Sequence, residues 1–319
     1  MPTTPDDARR HREGLAWAFL GVVLFSFSLP MTKVAVTGFS PYLTATGRAV
    51  IAGVLAVVLL QVKRVPFPDR RHLPGLLITL LGAVFGWPIL LALALERTTS
   101  AHAAVVAAFM PLTTALIAVL RTHERVNRQF WAAAGLGTAA LVAFALSRGG
   151  AADGDLIADL LVAGAVVASS WCYVEGASVA AAMPGWQVIS WVCVLALPIT
   201  VPASALIWLL TRDSYSPGPA AWGSLIGIGV SSMYLGFFAW YRGLALAGSA
   251  HGGQVQQLQA LLTLGWSAWL LDEHVTWAMV AAAAAVIGAV VWAQRSRTAG
   301  TAQRSRTTRA SSQIGSVES

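Results

Sequence analysis

Long apolar stretches separated by short polar breaks occupy most of this chain. Each stretch has roughly the 20 residues that an α-helix needs to cross the hydrocarbon core of a bilayer. Each break holds Gly, Pro or charged residues. The pattern predicts an all-α integral membrane protein with ten transmembrane helices. Their expected ranges are 14–33, 42–62, 74–95, 101–120, 128–147, 156–180, 186–210, 219–241, 250–271 and 275–293.

The composition indicates that the solvent of this fold is lipid. Of 319 residues, 56% are hydrophobic and 11% are charged, whereas about a quarter are charged in soluble domains. Ten spans leave no room for an additional soluble domain. The basic segment before the first span lacks a small-residue cleavage site after its apolar run, so we expect a retained helix and not a signal peptide.

The basic residues favour one side of the predicted membrane. Most of the 21 Lys and Arg residues fall in the two tails or in every second loop. This positive-inside bias predicts cytoplasmic termini and therefore an even number of spans. The formal charge of +7 is explained by membrane orientation, so the lipid bilayer is expected as a partner and nucleic acid is not.

Two motifs recur at one offset. Ser100-Ala101-His102 recurs as Ser249-Ala250-His251, and Glu124-Arg125-Val126 matches Glu273-His274-Val275, each time 149 residues later. Since each half then holds five spans, an odd number, the second half enters the membrane from the opposite side, as in the inverted repeats of many secondary transporters. The expected segments are a cytoplasmic tail at 1–13, repeats at 14–147 and 148–293, and a disordered basic cytoplasmic tail at 294–319.

The two halves share an ordered set of short features. The first copy reads Ala94-Leu95, Ser100-Ala101, Pro111, Glu124, Gly135 and Gly137. The second copy reads Ala245-Leu246, Ser249-Ala250, Glu273 and Gly288, with Ala260 at the position of Pro111. In this order, given twice, the chain resembles the EamA-type transporters of the drug/metabolite transporter superfamily over about residues 14–293.

This resemblance implies two inverted five-helix repeats around a central cavity. It implies a secondary transporter that exports small polar or amphipathic metabolites, such as amino-acid-like compounds or drugs, by alternating access. An importer or lipid-linked flippase of the same fold and a non-transporting scaffold or regulator are the alternatives. We expect a small-molecule substrate, no cofactor, no enzymatic activity, residence in a bacterial inner membrane and a possible homodimer.

Few ionisable residues fall inside the predicted spans. A charged group at mid-bilayer costs about 2.5–3.5 kcal/mol on insertion scales, so each one needs a partner, water or a function. Arg48, about two turns inside the second span, is either an anion ligand facing the cavity or an arginine bonded to helix-end carbonyls near the interface. Glu175, near the end of the sixth span, is either a proton site or an interfacial carboxylate.

Four glutamines crowd into six residues of the ninth span, where free amides are costly in hydrocarbon. Helical spacing places Gln254 and Gln257 on one face, which we expect to line the cavity. It places Gln256 and Gln259 on another face, which we expect to hold the helix to its neighbours. For Gln254 and Gln257, such helix-to-helix bonding is the alternative.

Two aromatic residues complete the predicted cavity. Trp87 precedes Pro88, whose missing N–H frees a backbone carbonyl and kinks the helix. Together with Tyr234 in the eighth span, Trp87 is predicted to wall an amphipathic pocket, with ordinary packing as the alternative. Two glycine pairs, Gly82 with Gly86 in the third span and Gly223 with Gly227 in the eighth, are expected to permit close helix contact.

Other chemistry is weakly indicated. Cys172 and Cys193 lie inside apolar runs and are expected to be small buried side chains. His102 and His251 are repeat mates on opposite sides of the membrane, so capping or hydrogen bonding is preferred to a shared metal site. The sequence has no Walker loop, His-Glu-x-x-His motif or Gly-x-Ser-x-Gly elbow.

Overall fold

The computed structural model describes residues 5–122, 128–146, 155–247, 255–292 and 295, and within them the regular structure is entirely helical. The helices of the first part are α1 (Pro5–Ser26), α2 (Ser28–Ala35), α3 (Pro41–Val62), α4 (Leu73–Leu80), α5 (Trp87–Arg97), α6 (Ser100–Ala107), α7 (Met110–Thr122) and α8 (Arg128–Leu146). Those of the second part are α9 (Leu156–Ala180), α10 (Gly185–Thr211), α11 (Pro219–Val230), α12 (Gly236–Ala247), α13 (Leu258–Leu271) and α14 (Trp277–Trp292).

Within the described residues, seven helical stretches are long and apolar enough to cross a membrane. They are Arg9–Ala35, Pro41–Val62, Arg70–Arg97, Ser100–Arg121, Leu156–Ala180, Gly185–Thr211 and Pro219–Leu246. Three further predicted spans coincide with α8, which has 19 residues, and with the shorter apolar helices α13 and α14. The chain is therefore a multi-pass membrane protein, and the count of ten spans stays a prediction.

The first span is interrupted between α1 and α2. Pro30 has no N–H, so the carbonyl oxygen of Ser26 loses its ordinary helical donor. The hydroxyl of Thr263 donates to this carbonyl at 3.0 Å, and Nε1 of Trp266 donates to Oγ of Ser26 at 2.9 Å. Both donors belong to α13, which is thereby fixed against the break.

The fourth predicted span, 101–120, is two helices and not one. α6 ends at Ala107 and α7 begins at Met110, with a turn between them. Pro111 explains the break, because a proline removes one helical hydrogen bond and its ring clashes with the carbonyl four residues earlier.

Two π-helical segments interrupt the third and eighth predicted spans. The first, Leu81–Gly86, joins α4 to α5, and the second, Ser231–Leu235, joins α11 to α12. They lie 150 residues apart, close to the repeat offset found in the sequence. Such segments carry an extra residue in one turn and are frequent at functional sites.

Helices from the two parts of the chain pack directly on each other. α1 packs on α12, α3 on α10, α5 and α7 on α9, and α13 on α6. Cys172 and Cys193 are free thiols within this buried core, as predicted. The interior of the bundle therefore lies between residues far apart in sequence.

Polar contacts mark two opposite ends of the bundle. At the end where α5 stops and α6 begins, Nζ of Lys33 donates to the carbonyl oxygens of Leu95 at 2.7 Å and Thr98 at 2.8 Å. Since α6 and α7 run away from this point, Arg121 lies at the other end. We call these the Glu273 end and the Arg121 end, after a residue at each.

Candidate functional site

A buried arginine lies near the middle of the bundle. Arg48 stands two turns after Pro41, the first residue of α3, and is 3% exposed. Its Nη2 donates to Oγ of Ser232 at 2.8 Å, and Ser232 in turn donates to the carbonyl oxygen of Ile228 at 3.2 Å. Within the described residues, Nε and Nη1 of Arg48 have no hydrogen-bond partner. The guanidinium therefore retains donors for a further acceptor.

Arg48 lines a narrow pocket, in which about 30 Å³ admits the centre of a water-sized sphere. Both π segments contribute to its walls: Ala83 comes from the first, and Ser232 and Met233 come from the second. The full lining is Phe25, Ser28, Arg48, Ala83, Trp87, Met110, Ser169, Tyr173, Ser232, Met233, Phe237 and Gln259. Neither π segment was predicted, because no residue pattern in one sequence distinguishes a π turn from an α turn.

Close helix contact holds the first π segment in place. A Cβ atom at Gly82 would overlap the carbonyl oxygen of Ala168 in α9, and one at Gly86 would lie 2.5 Å from the Cβ of Ala168. This confirms the role predicted for the first glycine pair. In the second pair, a Cβ atom at Gly227 would lie 2.9 Å from Sδ of Met31, but one at Gly223 would meet nothing within 4 Å. The prediction is therefore wrong for Gly223, which lies exposed on α11.

Aromatic rings form the apolar part of the pocket. The ring centroids of Phe25 and Phe237 are 5.0 Å apart in an edge-to-face arrangement, and those of Tyr173 and Phe237 are 6.0 Å apart. Trp87, at the start of α5, completes this wall and is 9% exposed. The pocket therefore combines one cation with an aromatic lining.

The described glutamines of the ninth predicted span line a second, adjoining narrow pocket, in which about 20 Å³ admits the centre of a water-sized sphere. Gln256, Gln257 and Gln259 all line it, and Gln259 and Met110 belong to both pockets. Gln257 was predicted to face the cavity, whereas Gln256 and Gln259 were predicted to face away from it. That division assumed a continuous helix, but the chain makes a turn at Gln257 before α13 begins. Gln254 lies outside the described residues.

Two further predicted site residues lie elsewhere. Tyr234 is buried next to the Arg48 pocket, but its hydroxyl is hydrogen-bonded to Oγ of Ser190 at 2.9 Å and it is absent from the lining of either pocket. Glu175 accepts from Nε of Arg121 at 2.9 Å. This ion pair lies at the Arg121 end and places the Glu175 carboxylate beside a cation, not in the Arg48 pocket.

The Glu273 end is closed by a carboxylate at a helix start. Glu273 accepts from the N–H of Ser100 at 2.9 Å, from the hydroxyl of Ser100 at 2.9 Å and from the N–H of Ala101 at 2.8 Å. Asp272, with φ of 52°, adopts the left-handed conformation that ends α13 and directs the chain toward α6. The first N–H groups of a helix have no intrahelical partner and favour an anion. Glu273, which follows the end of α13, therefore bridges that helix end to the start of α6.

Two aspartates, Asp155 just before α9 and Asp159 in its first turn, each contact a basic residue at this end. Arg97 contacts Asp155 at 2.6 Å, and this guanidinium together with the N–H of Ile157 holds the pKa of the Asp155 carboxyl below its ordinary value. One turn deeper, Nε2 of His102 is hydrogen-bonded to Oδ1 of Asp159, and His102 is 1% exposed. His102 was expected to form a hydrogen bond, and Asp159 is its partner. The sequence did not identify this partner, although the four-residue spacing of Asp155 and Asp159 was a signal that both could lie on one side of α9.

Comparisons with known proteins agree with this picture. A model of the EamA-like transporter family matches residues 12–146 and again residues 156–294. A protein of Bacillus subtilis (strain 168), named uncharacterized transporter YdeK, is 42% identical over 278 residues, which cover 87% of this chain and 95% of that protein. A solved crystal structure, 20% identical, is similar in fold with a TM-score of 0.62, covering 88% of this chain and 97% of the other.

Proposed function

This chain belongs to the EamA-like transporter family and is a membrane transporter, and from that premise we propose that it is a secondary carrier that exports a small polar or amphipathic metabolite by alternating access. The observation that carries the proposal is the Arg48 pocket. Its lining comes from both family-matched segments, so movement of one segment against the other would open or close it.

The proposed architecture is ten spans in two inverted repeats. The double family match and the matching positions of the two π segments support this arrangement. Both termini then lie in the cytoplasm of a bacterial cell, the Arg121 end faces the cytoplasm, and the Glu273 end faces outward. The proposed carrier uses no cofactor and is driven by a substrate or ion gradient.

The contacts at the Glu273 end supply an outer closure. Glu273 with Ser100, and Asp159 with His102, connect segments that belong to different family matches. In the proposed cycle these contacts hold the pocket shut toward the outside while substrate enters from the cytoplasm. They separate when substrate leaves.

The test is a comparison of metabolites in medium and cytosol between cells that over-express the protein and cells that lack it. Selective accumulation of a compound in the medium is the expected result. Selective depletion from the medium would replace export with import. No difference for any small molecule, with the protein correctly inserted, would overturn the transport proposal in favour of a scaffold.

A further inference from the structure

We propose that the ligand of the Arg48 pocket is a small organic monoanion with an apolar body, in which a carboxylate or similar group binds Arg48 and the body lies among Phe25, Trp87 and Phe237. This proposal rests on the proposed function, since it names the substrate class of the same site. It uses the charge, burial and unused donors of the described residues.

Arg48 carries a positive charge in the buried part of the bundle. An arginine keeps its proton under physiological conditions, and a charge buried at 3% exposure is costly unless it is paired. Its one hydrogen bond within the described residues goes to Ser232, a neutral hydroxyl, and Nε and Nη1 remain without an acceptor. An anion would supply both the missing charge and the missing acceptors.

That anion would have polar neighbours in the pocket. Oγ of Ser28 lines the same pocket and, like Nε of Arg48, is buried with no hydrogen-bond partner in the described part of the chain. Ser169 and Gln259 add a hydroxyl and an amide to the lining. These groups donate hydrogen bonds to a carboxylate or accept them from a hydroxyl of the substrate.

The lining excludes other charge classes. Among the described residues that line the pocket, none is Asp or Glu. The ammonium of a cation, or of an amino acid whose carboxylate binds Arg48, would therefore find no protein carboxylate in that described lining. Arg48 is also the only Lys or Arg in that described lining, so a dianion would carry one uncompensated charge into the protein interior. A single negative charge is the one that the site balances.

The lining also constrains the body of the ligand. Aromatic residues in pocket linings favour flat or apolar groups, and polar groups fix orientation. Phe25 and Phe237 form an edge-to-face pair, and Trp87 and Ala83 line the same pocket. In the described conformation only about 30 Å³ of this pocket admits the centre of a water-sized sphere. In the proposed cycle a ring or a short acyl chain therefore enters when the two family-matched segments move apart, with its charged end on Arg48.

The test measures binding and does not require transport. Purified full-length protein in lipid nanodiscs is heated with benzoate, phenylacetate or octanoate at tens of millimolar, and in parallel with benzamide, phenylacetamide or octanamide. A ligand that binds only the folded state raises the thermal midpoint. The expected result is an increase of several degrees with at least one acid and no increase with its amide.

Two variants complete the design. Arg48→Met removes the guanidinium proposed to bind the anion and is expected to abolish the acid-dependent increase. Arg71→Met removes an exposed arginine outside the pocket and is expected to preserve it, which corrects for non-specific effects of salt. Equal stabilisation by acid and amide, an undiminished effect in Arg48→Met, or no stabilisation by any of the three acids would each overturn the proposal.

The outcome is separable from that of the transport experiment. If acids bind in a way that depends on Arg48 but no compound is exported, the ligand proposal is supported and the export proposal is contradicted. Export of a neutral or cationic compound would support the transport proposal and overturn the proposal that the ligand is a monoanion.

Discussion

Nη2 of Arg48 lies 2.8 Å from Oγ of Ser232, and this hydrogen bond joins α3 in the first family-matched segment to the π segment of the second. The contact places the buried charge at the boundary between the two segments that alternating access would move. The same arginine keeps unused donors toward a pocket with aromatic walls. Arg48 is therefore both the residue that joins the two segments and the residue proposed to bind the substrate.

Arg48→Met is expected to make the protein more stable and less active. Methionine fills much of the same volume without a buried charge, and replacement of buried ionic groups by apolar ones is often neutral or stabilising. We expect a gain of about 1–3 kcal/mol, seen as a thermal midpoint several degrees higher, together with lost export. Arg48→Lys keeps the charge and should retain part of both wild-type properties. A less stable Arg48→Met protein would indicate that the arginine serves packing.

Glu273→Gln is expected to weaken the Glu273 end. The variant loses the negative charge at the start of α6 and at least one of the three hydrogen bonds to Ser100 and Ala101. A loss of about 1–2 kcal/mol follows from the usual strength of such charged helix caps. Asp272→Asn is the matched control. It removes the charge of the exposed neighbour of Glu273, and asparagine tolerates the left-handed conformation that Asp272 adopts. Equal thermal midpoints for the two variants would show that the bridge contributes nothing.

Gly82→Ala and Gly223→Ala are expected to change stability in opposite directions. The added methyl at Gly82 overlaps the backbone of Ala168 and must push the first π segment away from α9. The methyl at Gly223 meets nothing within 4 Å and removes the conformational cost of a helical glycine, about 0.5–1 kcal/mol. Thermal unfolding of both variants in the same lipid checks the difference. A stable Gly82→Ala protein would contradict the tight contact.

The double variant Gln254→Leu with Gln257→Leu is expected to lower export at least tenfold, equivalent to about 1.4 kcal/mol, with normal membrane insertion. Gln257 lines the pocket that adjoins the Arg48 pocket. Trp269→Leu, on the same span but 76% exposed toward the surroundings, is the control and should export normally. Undiminished export in the double variant would remove these amides from the transport path.

The sequence was sufficient for features that depend on length, hydrophobicity and charge. It predicted the apolar helical regions, although not the breaks within the first, third, fourth and eighth spans. It also singled out Arg48, because a charge in an apolar run needs a partner, water or a function.

The remaining features depend on backbone geometry that a single sequence does not encode. The π segments shift the register of every following side chain, and the turn at Gln257 places all three described glutamines around one pocket. The partner of His102 required the relative placement of α6 and α9. Each of these is decided by packing between distant segments, not by local residue preference.

The most direct measurement is the metabolite content of the medium from cells that express wild-type protein or Arg48→Met at equal abundance in the membrane. The account predicts that wild-type cells accumulate a carboxylate-bearing metabolite outside, and that this accumulation falls to the level of cells without the protein in the variant. Equal accumulation of the same compound by both proteins would contradict the assignment of the Arg48 pocket as the transport site.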